Sequence, residues 1–364
     1  MNIYKLLTPG PLTTSNSVKE EMLFDRCTWD DEYKAITQKI RKQVLEIAEV
    51  STDVYTSVLM QGSGSFGVES VLNSTISKND KLLIISNGAY GERIIKIANK
   101  IGIKYVCYYT QYDKVFDVSE IKNILGKDLE ITHLVMVHCE TTTGILNPVE
   151  KLAEISKQYG KVLIIDAMSS FGGIPINVQE LGIDYLISSA NKCIQGVPGF
   201  CFIIAKIESL LKCSGNSKSL CLDLYDQWEC MDKDGKWRFT SPTHVVAAFS
   251  KAIDELIEEG GVIVRNNRYK ENNYLLRTKL TDIGFDVYIK EELQSPIITT
   301  FLFPNQKFNF NDFYTFVKKR GYVLYPGKLT DIDTFRIGNI GEIYKEDIKK
   351  LCLIIQEYMR GEKL

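Results

Sequence analysis

The chain has 364 residues, of which 45% are apolar and 25% charged. These values are ordinary for globular proteins and exclude a disordered, collagen-like or coiled-coil chain. Its 44 lysines and arginines and 46 aspartates and glutamates leave a net charge of −2, which argues against nucleic acid or an anionic membrane surface as the main partner. The nine cysteines are odd in number and form no Cys-x-x-Cys pair. We therefore expect reduced thiols and predict no metal site.

The first residues do not resemble a secretory signal, because their apolar stretch ends at Thr8 and Pro9. No run of 18 apolar residues follows anywhere in the sequence, so no membrane-spanning helix is expected. Together with the reduced thiols, this predicts a cytoplasmic protein.

Short apolar runs then alternate with longer amphipathic segments, without any internal repeat. The apolar runs predict strands at residues 57–61, 81–86, 105–109, 133–138, 162–166, 185–188 and 200–204. Helical periodicity predicts helices at residues 66–74, 92–101, 149–159 and 178–181. This alternation is typical of a mainly parallel sheet covered by helices on both faces, so the predicted fold class is α/β with a seven-stranded sheet.

The pattern changes near residue 240, where a smaller α+β region begins. Helices are predicted at residues 243–259, 265–282, 311–320 and 346–360, and strands at residues 286–289, 297–302, 322–325 and 335–338. We predict three parts: an N-terminal segment, 1–18, near the active site; a large domain, 19–245; and a small C-terminal domain, 246–364.

Residues 62–67 match the pattern G-x-G-x-x-G between a predicted strand and a predicted helix. A nicotinamide dinucleotide site would also need an acidic residue at the end of the next strand, and that strand ends in Ser86, Asn87 and Gly88. The pattern alone is therefore a weak indication of NAD. Backbone N–H groups at a helix start bind phosphate whatever the rest of the ligand, so we predict a phosphate cradle here; a tight turn without a ligand is the alternative.

Two charged residues follow neighbouring strands. Asp166 ends the buried strand 162–166, and Lys192 lies in a loop rich in Gly and Pro just after the strand 185–188. Taken singly, these would be a turn residue and a solvated cation. With a phosphate cradle they match the needs of pyridoxal phosphate: an amine for the aldehyde, an acid for the pyridine nitrogen and a cradle for the phosphate. Tyr90, after the strand 81–86, could stack on the ring.

At these residues the sequence resembles the class V, fold-type I aminotransferases, nearly end to end. The most specific stretches are 188–199, which contains Asn191 and Lys192, and 237–244. The other matching stretches are residues 7–14, 27–31, 61–67, 86–91, 138–144, 166–175, 325–328 and 335–341. Some class V relatives have Trp in place of Tyr90 and Gln in place of Asn191, and neither difference removes the implied function.

The resemblance implies a role for each matching residue around pyridoxal phosphate. Lys192 is expected to form the Schiff base with the cofactor aldehyde, Asp166 to bind the pyridine nitrogen, and Tyr90 to stack on the ring. The phosphate cradle corresponds to Ser63, Gly64 and Ser65.

The resemblance assigns four further residues. Thr141 is expected to bind the phenolic oxygen of the cofactor, and Asn191 to contact its phosphate side. Thr240 is expected to reach the phosphate of the neighbouring subunit, which implies a homodimer with shared active sites. Arg336 is expected to hold the acidic group of the substrate, and a planar guanidinium suits a carboxylate or a phosphonate. Arg26, Arg93 and Lys328 are further candidate cations for the extra charge of a phosphonate.

Within the family the match is closest to the branch that acts on a phosphonate. This implies transfer of an amino group from 2-aminoethylphosphonate to pyruvate, which yields phosphonoacetaldehyde and L-alanine in phosphonate catabolism. The alternatives are an alanine–glyoxylate or serine–pyruvate type of aminotransferase and a lyase acting on a hydroxylated aminophosphonate, because these would share the cofactor residues. An NAD-dependent oxidoreductase and a non-catalytic binding protein are the other two alternatives.

Overall fold

The computed structural model describes residues 4–327, 329 and 331–361. Strands in chain order are β1 Lys5–Leu6, β2 Tyr55–Gln61, β3 Leu82–Ser86, β4 Tyr105–Tyr109, β5 His133–Val137, β6 Cys139–Glu140, β7 Ile145–Leu146, β8 Val162–Asp166, β9 Tyr185–Ser189, β10 Phe200–Lys206, β11 Ile298–Leu302, β12 Tyr322–Val323, β13 Tyr325–Pro326 and β14 Thr334–Gly338. Helices are α1 Asn16–Glu20, α2 Asp31–Ile47, α3 Gly64–Thr75, α4 Ala89–Ile101, α5 Val118–Lys127, α6 Val149–Tyr159, α7 Val178–Leu181, α8 Ile207–Leu211, α9 Leu224–Asp234, α10 Thr243–Glu258, α11 Gly261–Asp282, α12 Phe310–Lys319 and α13 Lys345–Met359.

A seven-stranded sheet of order β2-β10-β9-β8-β5-β3-β4 forms the centre of the larger part. All seven predicted strands are present, with ends that differ from the prediction by one or two residues at most. The sheet is mainly parallel as predicted, but β10 runs antiparallel to both of its neighbours. Strands β8 and β9 are parallel neighbours, so their carboxyl ends lie side by side at the same edge of the sheet.

Helices cover both faces of this sheet. Alternate side chains of each strand point to opposite faces, so each face packs against its own set of helices. In β8, Leu163 and Ile165 belong to one buried cluster and Ile164 to another. The first cluster includes side chains of α2, α5, α6 and α10, and the second includes side chains of α3 and α4. Both faces of the sheet are therefore apolar, as the continuous apolar runs in the sequence indicated.

The C-terminal part contains the three-stranded antiparallel sheet β11-β14-β13, packed with α11, α12 and α13 around a third buried cluster. The segment 286–289, predicted as a strand, makes only an isolated bridge from Val287 to Phe301. Division of the chain at residue 245 stays a prediction; the apolar face of α10 lies in the cluster of the large sheet. In the described part of the chain, no helix is both long and apolar enough to cross a membrane.

Candidate active site

The carboxyl ends of β8 and β9 open into a cavity of about 170 Å³. Seven of the predicted site residues line it: Ser63, Gly64, Ser65, Tyr90, Asp166, Asn191 and Lys192. Ligands of open α/β sheets bind at this edge, outside the carboxyl ends of the strands. The fold therefore brings together residues that are as much as 129 positions apart in the sequence.

One end of the cavity is formed by the first residues of α3. Ser63 is the N-cap of this helix, so the unpaired N–H groups of the first turn are available to an anion. Gly64 packs closely against Met168, and an added Cβ there would require the Met168 side chain to move. Arg93 adds a cation at this end and donates a hydrogen bond from Nη1 to Ser65 Oγ, at 3.0 Å.

The floor of the cavity carries the carboxylate of Asp166. Its Oδ1 accepts a hydrogen bond from the backbone N–H of Met168 at 3.0 Å. Burial raises the pKa of Asp166 from 3.8 to about 6, and the positive charges of Arg93 and Lys192 act in the opposite direction. A buried carboxylate of this kind favours a cationic hydrogen-bond donor as its partner.

The amine of Lys192 lies against the N-terminal segment of the chain. Lys192 Nζ donates hydrogen bonds to the carbonyl oxygens of Pro9 and Gly10, at 3.1 and 3.4 Å. Gly10 has a φ of +117°, and an added Cβ would lie 2.7 Å from Nζ of Lys192. The position thus needs glycine for both its backbone conformation and the close approach of the lysine.

Tyr90 lies in the first turn of α4, and a buried carboxylate holds that turn in place. Oε2 of Glu140 accepts hydrogen bonds from the N–H groups of Tyr90 and Gly91, at 3.0 and 3.2 Å, and Oε1 accepts one from Thr142 at 3.0 Å. Burial raises the pKa of Glu140, while these hydrogen bonds lower it. The guanidinium of Arg93 lies 4.8 Å from the centre of the Tyr90 ring.

Three predicted residues do not line this cavity. Arg336 is buried on β14, where its Nη1 donates to the carbonyl oxygen of Thr141 at 2.8 Å and its Nε to that of Pro326 at 3.0 Å. Burial lowers the pKa of Arg336, and the nearby Tyr90 acts in the opposite direction. Thr240 is exposed, in the segment between α9 and α10. The fold thus brings Arg336 and Thr141 together and leaves Thr240 on the surface.

The sequence does not place several residues of the site. Arg93 is predicted only as one possible partner of a phosphonate, with Arg26 and Lys328. Its spacing of three residues from Tyr90 on a helix is the signal that places it in the cavity. Arg26 instead pairs with Glu21 at 2.7 Å, and Lys328 lies outside the described residues. Glu140 stood in a recognised motif, but a carboxylate that binds only backbone N–H groups leaves no pattern in the sequence.

A larger groove of about 820 Å³ lies elsewhere, between α2, α7 and the turn that leads into α11. Its floor is apolar and its lining includes Glu46, Glu49, Glu150 and Glu180. None of the predicted site residues lines it, and it contains no lysine. The smaller cavity is therefore the candidate active site.

Comparison with known proteins identifies the family of this chain. The model of the family described as "Aminotransferase class-V" matches residues 26–331. A 2-aminoethylphosphonate–pyruvate transaminase of Lysinibacillus sphaericus is 62% identical over 99% of this chain and 98% of that protein. A bifunctional phosphonoacetaldehyde hydrolase/aminoethylphosphonate transaminase of Clostridioides difficile is 55% identical over 98% of this chain, which spans 57% of that protein.

Solved structures share the fold at much lower identity. The crystal structure of an alanine–glyoxylate aminotransferase from Nostoc sp. matches with a TM-score of 0.91 and 21% identity, over 98% of this chain and 95% of that one. The predicted fold-type I aminotransferase fold is therefore confirmed.

Proposed function

This chain belongs to the class-V aminotransferase family, and from that premise we propose that it transfers the amino group of 2-aminoethylphosphonate to pyruvate, with release of phosphonoacetaldehyde and L-alanine. The observation that carries the choice of substrates is the near full-length identity to a relative named for this reaction. The likeness to the alanine–glyoxylate enzyme supports the fold alone, at 21% identity.

Pyridoxal phosphate is the cofactor that the family uses, and the cavity has the donors and acceptors to hold it. Ser63, Gly64 and Ser65 would bind the phosphate through the start of α3, with Arg93 and Asn191 beside them. Asp166 would accept a hydrogen bond from the protonated pyridine nitrogen, which is the cationic donor that its buried carboxylate favours. The ring of Tyr90 would cover one face of the cofactor.

When bound, pyridoxal phosphate supplies an aldehyde for the amino group and a ring that withdraws electrons from the carbon bearing it. Lys192, which lines the same cavity, would act as the general base whose Nζ takes the proton from that carbon. For this it must release the carbonyl oxygens of Pro9 and Gly10, to which it is hydrogen-bonded here. Beside a protonated pyridine nitrogen, Asp166 would keep its negative charge and so stabilise the electron-withdrawing form of the ring.

Thr141 and Arg336 do not line the cavity of the single chain, but they contact each other, and we assign both of them roles in the site. We assign to Arg336 the acidic group of either substrate, because its guanidinium can bind a carboxylate or a phosphonate with two parallel hydrogen bonds. Its contact with the Thr141 carbonyl oxygen fixes the guanidinium next to the segment that carries Glu140. We assign to Thr141 the phenolic oxygen of the cofactor.

The proposal includes a homodimer that works in the cytoplasm. Phe66 and Phe239 are 50% and 47% exposed, and both line one apolar depression next to the start of α3. Thr240 directly follows Phe239 on this face. Burial of the two rings against a second copy would bring its Thr240 close to the phosphate cradle. The nine cysteines, all among the described residues, form no disulfide, which supports a reducing compartment.

The test is a single-turnover absorbance measurement on the enzyme loaded with cofactor and without any keto acid. We expect 2-aminoethylphosphonate to abolish the visible band of the lysine-bound cofactor and pyruvate to restore it. Separate additions of L-alanine, L-serine and L-glutamate test the other amino donors. A response to alanine or serine but not to the phosphonate would refute the proposed substrate.

Replacement of Lys192 tests the cofactor site directly. We expect Lys192→Ala to lose both the visible band and turnover, because no other amine lines the cavity among the described residues. The matched control is Lys151→Ala, which removes an exposed lysine of α6 and should leave the band and the rate unchanged. A variant Lys192→Ala that keeps the wild-type band would refute the assignment of this lysine.

A further inference from the structure

We propose that Arg265, on α11, is a positioning residue that fixes the backbone turn from which Lys192 extends. The inference rests on the proposed function in one respect: that function makes Lys192 the general base. Neither the sequence pattern nor the family resemblance singled out Arg265, which lies 73 positions after the lysine.

The turn that follows Lys192 contains a residue whose backbone conformation is unfavourable unless neighbouring groups stabilise it. Gln195 N–H donates to the carbonyl oxygen of Lys192 at 2.8 Å, which closes the turn. Gln195 is buried and has a φ of +71°, in the left-handed region that side chains other than glycine rarely adopt. Such a conformation persists where the surrounding structure holds it, so contacts from outside the turn must stabilise it.

Arg265 supplies the main external contact. Its Nη1 donates to the carbonyl oxygens of Cys193 and Ile194, the two residues directly after Lys192, at 3.0 and 3.3 Å. Its Nε pairs with Glu259 at 2.8 Å, and only 2% of the residue is exposed. A planar, fully charged guanidinium that is held on its other edge by a carboxylate gives these two peptide planes little freedom.

Tyr269, one helical turn further along α11, holds the other end of the same turn. Gln195 Nε2 donates to the hydroxyl oxygen of Tyr269 at 2.7 Å, and that hydroxyl contacts the Cys193 carbonyl oxygen at 3.4 Å. The residues 193–195 are therefore bonded to α11 through both backbone and side chain. A lysine has four rotatable side-chain bonds, so a fixed starting point restricts where its amine can reach.

The same helix also holds the strand that carries Arg336. Asn339 directly follows β14, and its Nδ2 donates to the carbonyl oxygen of Tyr269 at 3.0 Å. Asn273, on the next turn of α11, donates to Oδ1 of Asn339 at 3.2 Å. One rigid helix thus sets the separation between the base, Lys192, and the proposed anchor of the acidic group, Arg336. Proton transfer depends on that separation.

Arg268 provides a matched control for a test of Arg265. Both arginines lie on α11 and both pair with Glu259, but Arg268 donates to the carbonyl oxygens of Gly341 and Ile343 instead of the Lys192 turn. Arg265→Lys and Arg268→Lys therefore make the same chemical change to the same ion-pair cluster. Tyr269→Phe is a second, milder change to the turn, and it keeps the test available if Arg265→Lys does not fold.

The first measurement is hydrogen exchange in the cofactor-free protein, which needs no catalysis. We expect the amides of residues 195 and 196 to exchange at least about tenfold faster in Arg265→Lys and Tyr269→Phe than in the wild type. These two N–H groups close the turn by donating to the carbonyl oxygens of Lys192 and Ala190. Arg268→Lys should leave this exchange unchanged. Equal exchange in all three variants and the wild type would overturn the proposal.

The second measurement is the single-turnover rate with L-alanine, with and without deuterium at its α-carbon. In Arg265→Lys we expect about a 10²-fold slower proton transfer and a larger isotope effect than in the wild type and in Arg268→Lys. A mere loss of folded enzyme would lower the amplitude and leave the isotope effect unchanged, which would overturn the positioning role. Alanine is an amino donor for the sister aminotransferases too, so failure of the phosphonate assignment would appear separately, as wild-type inactivity towards 2-aminoethylphosphonate.

Discussion

A single buried carboxylate shows how the site is organised at the scale of one residue. Asp166 has its pKa raised to about 6 by burial, so without a cationic partner its charge destabilises the fold. This destabilisation is absent well below pH 3.8, where the Asp166 carboxyl group is protonated in both the folded and the unfolded chain. It builds up as the pH rises to about 6 and is fully present above that. The proposed cofactor would remove this cost by placing a protonated nitrogen beside the carboxylate.

Asp166→Asn should therefore make the cofactor-free protein more stable while abolishing efficient turnover. A rise in pKa from 3.8 to about 6 corresponds to on the order of 3 kcal/mol, at about 1.36 kcal/mol per pKa unit. We expect the variant to exceed the wild type by up to that amount in free energy of unfolding at pH 7, and by little at pH 4. Urea denaturation of the cofactor-free proteins at the two pH values measures this. A difference that does not change with pH would contradict the role of the charge.

The sequence identified Asp166 and Lys192 because each follows an apolar run, and strand ends are where open α/β sheets bind ligands. It could not identify Glu140 or Arg265. Both bind backbone groups of distant segments, Glu140 the N–H groups of α4 and Arg265 the carbonyl oxygens of the Lys192 turn. Nearly every residue has these backbone groups, so the amino-acid sequence of the segment that is bound does not reveal such a contact.

At the scale of one element, the start of α4 depends on residues that lie far away in the chain. The helix has Gly88 as its N-cap, which offers no side chain to the first N–H groups. Glu140 accepts from the N–H groups of Tyr90 and Gly91, and Thr142 Oγ1 accepts from that of Ala89 at 3.1 Å. A negative charge at the start of a helix is also favourable towards its dipole.

Glu140→Gln keeps the size of the side chain but replaces one acceptor oxygen by an NH₂ group. Because both carboxylate oxygens accept hydrogen bonds from backbone N–H groups, at least one donor then loses its acceptor. We expect the free energy of unfolding to fall by about 1–3 kcal/mol. We also expect weaker cofactor binding, since Tyr90 lies on this turn. Thermal unfolding and a titration with pyridoxal phosphate measure the two effects.

Thr142→Val is the control for that experiment. It removes the acceptor of the Ala89 N–H and the side-chain hydrogen bond between Thr142 and Glu140, and it leaves the Glu140 carboxylate in place. We expect a smaller loss of stability and less effect on cofactor binding, because the N–H of Tyr90 itself keeps its partner. Equal effects of the two variants on the affinity for pyridoxal phosphate would argue against a specific link between Glu140 and Tyr90.

The strands themselves were predictable from the sequence, since buried strands of an α/β sheet read as continuous apolar runs. The direction of β10 was not predictable, because the apolar pattern of a strand does not show whether the strand runs parallel or antiparallel to its neighbours. The reason lies in the connection: β9 ends at Ser189 and β10 begins at Phe200, which leaves ten residues, 190–199, and no helix. A parallel neighbour needs a crossover of a dozen or more residues, so β10 turns back beside β9, and this connection is the segment that holds Lys192.

At the scale of the whole molecule, separate parts of the chain contribute to the candidate site. The large sheet positions Asp166 and Lys192, and the N-terminal segment supplies the carbonyl oxygens of Pro9 and Gly10. The small sheet carries Arg336, the proposed anchor of the acidic group, which contacts Thr141 outside the cavity lining. Helix α11 joins the large and the small sheet, through Arg265 towards the lysine and through Asn273 towards the strand of the arginine. Thr240 is exposed to solvent on this single chain and does not line the cavity, which is expected if it serves a second copy.

Mixing an inactive and an impaired variant tests whether Thr240 acts across a subunit interface. Lys192→Ala abolishes the amine and keeps Thr240, and Thr240→Ala keeps the amine and weakens the phosphate site. If Thr240 serves the neighbouring subunit, a hybrid dimer has one site with both residues intact. Random reassociation at equal amounts makes half of the dimers hybrid, so about one quarter of wild-type activity should return. If Thr240 serves its own subunit, no hybrid site has both residues and activity stays at the mean of the two variants.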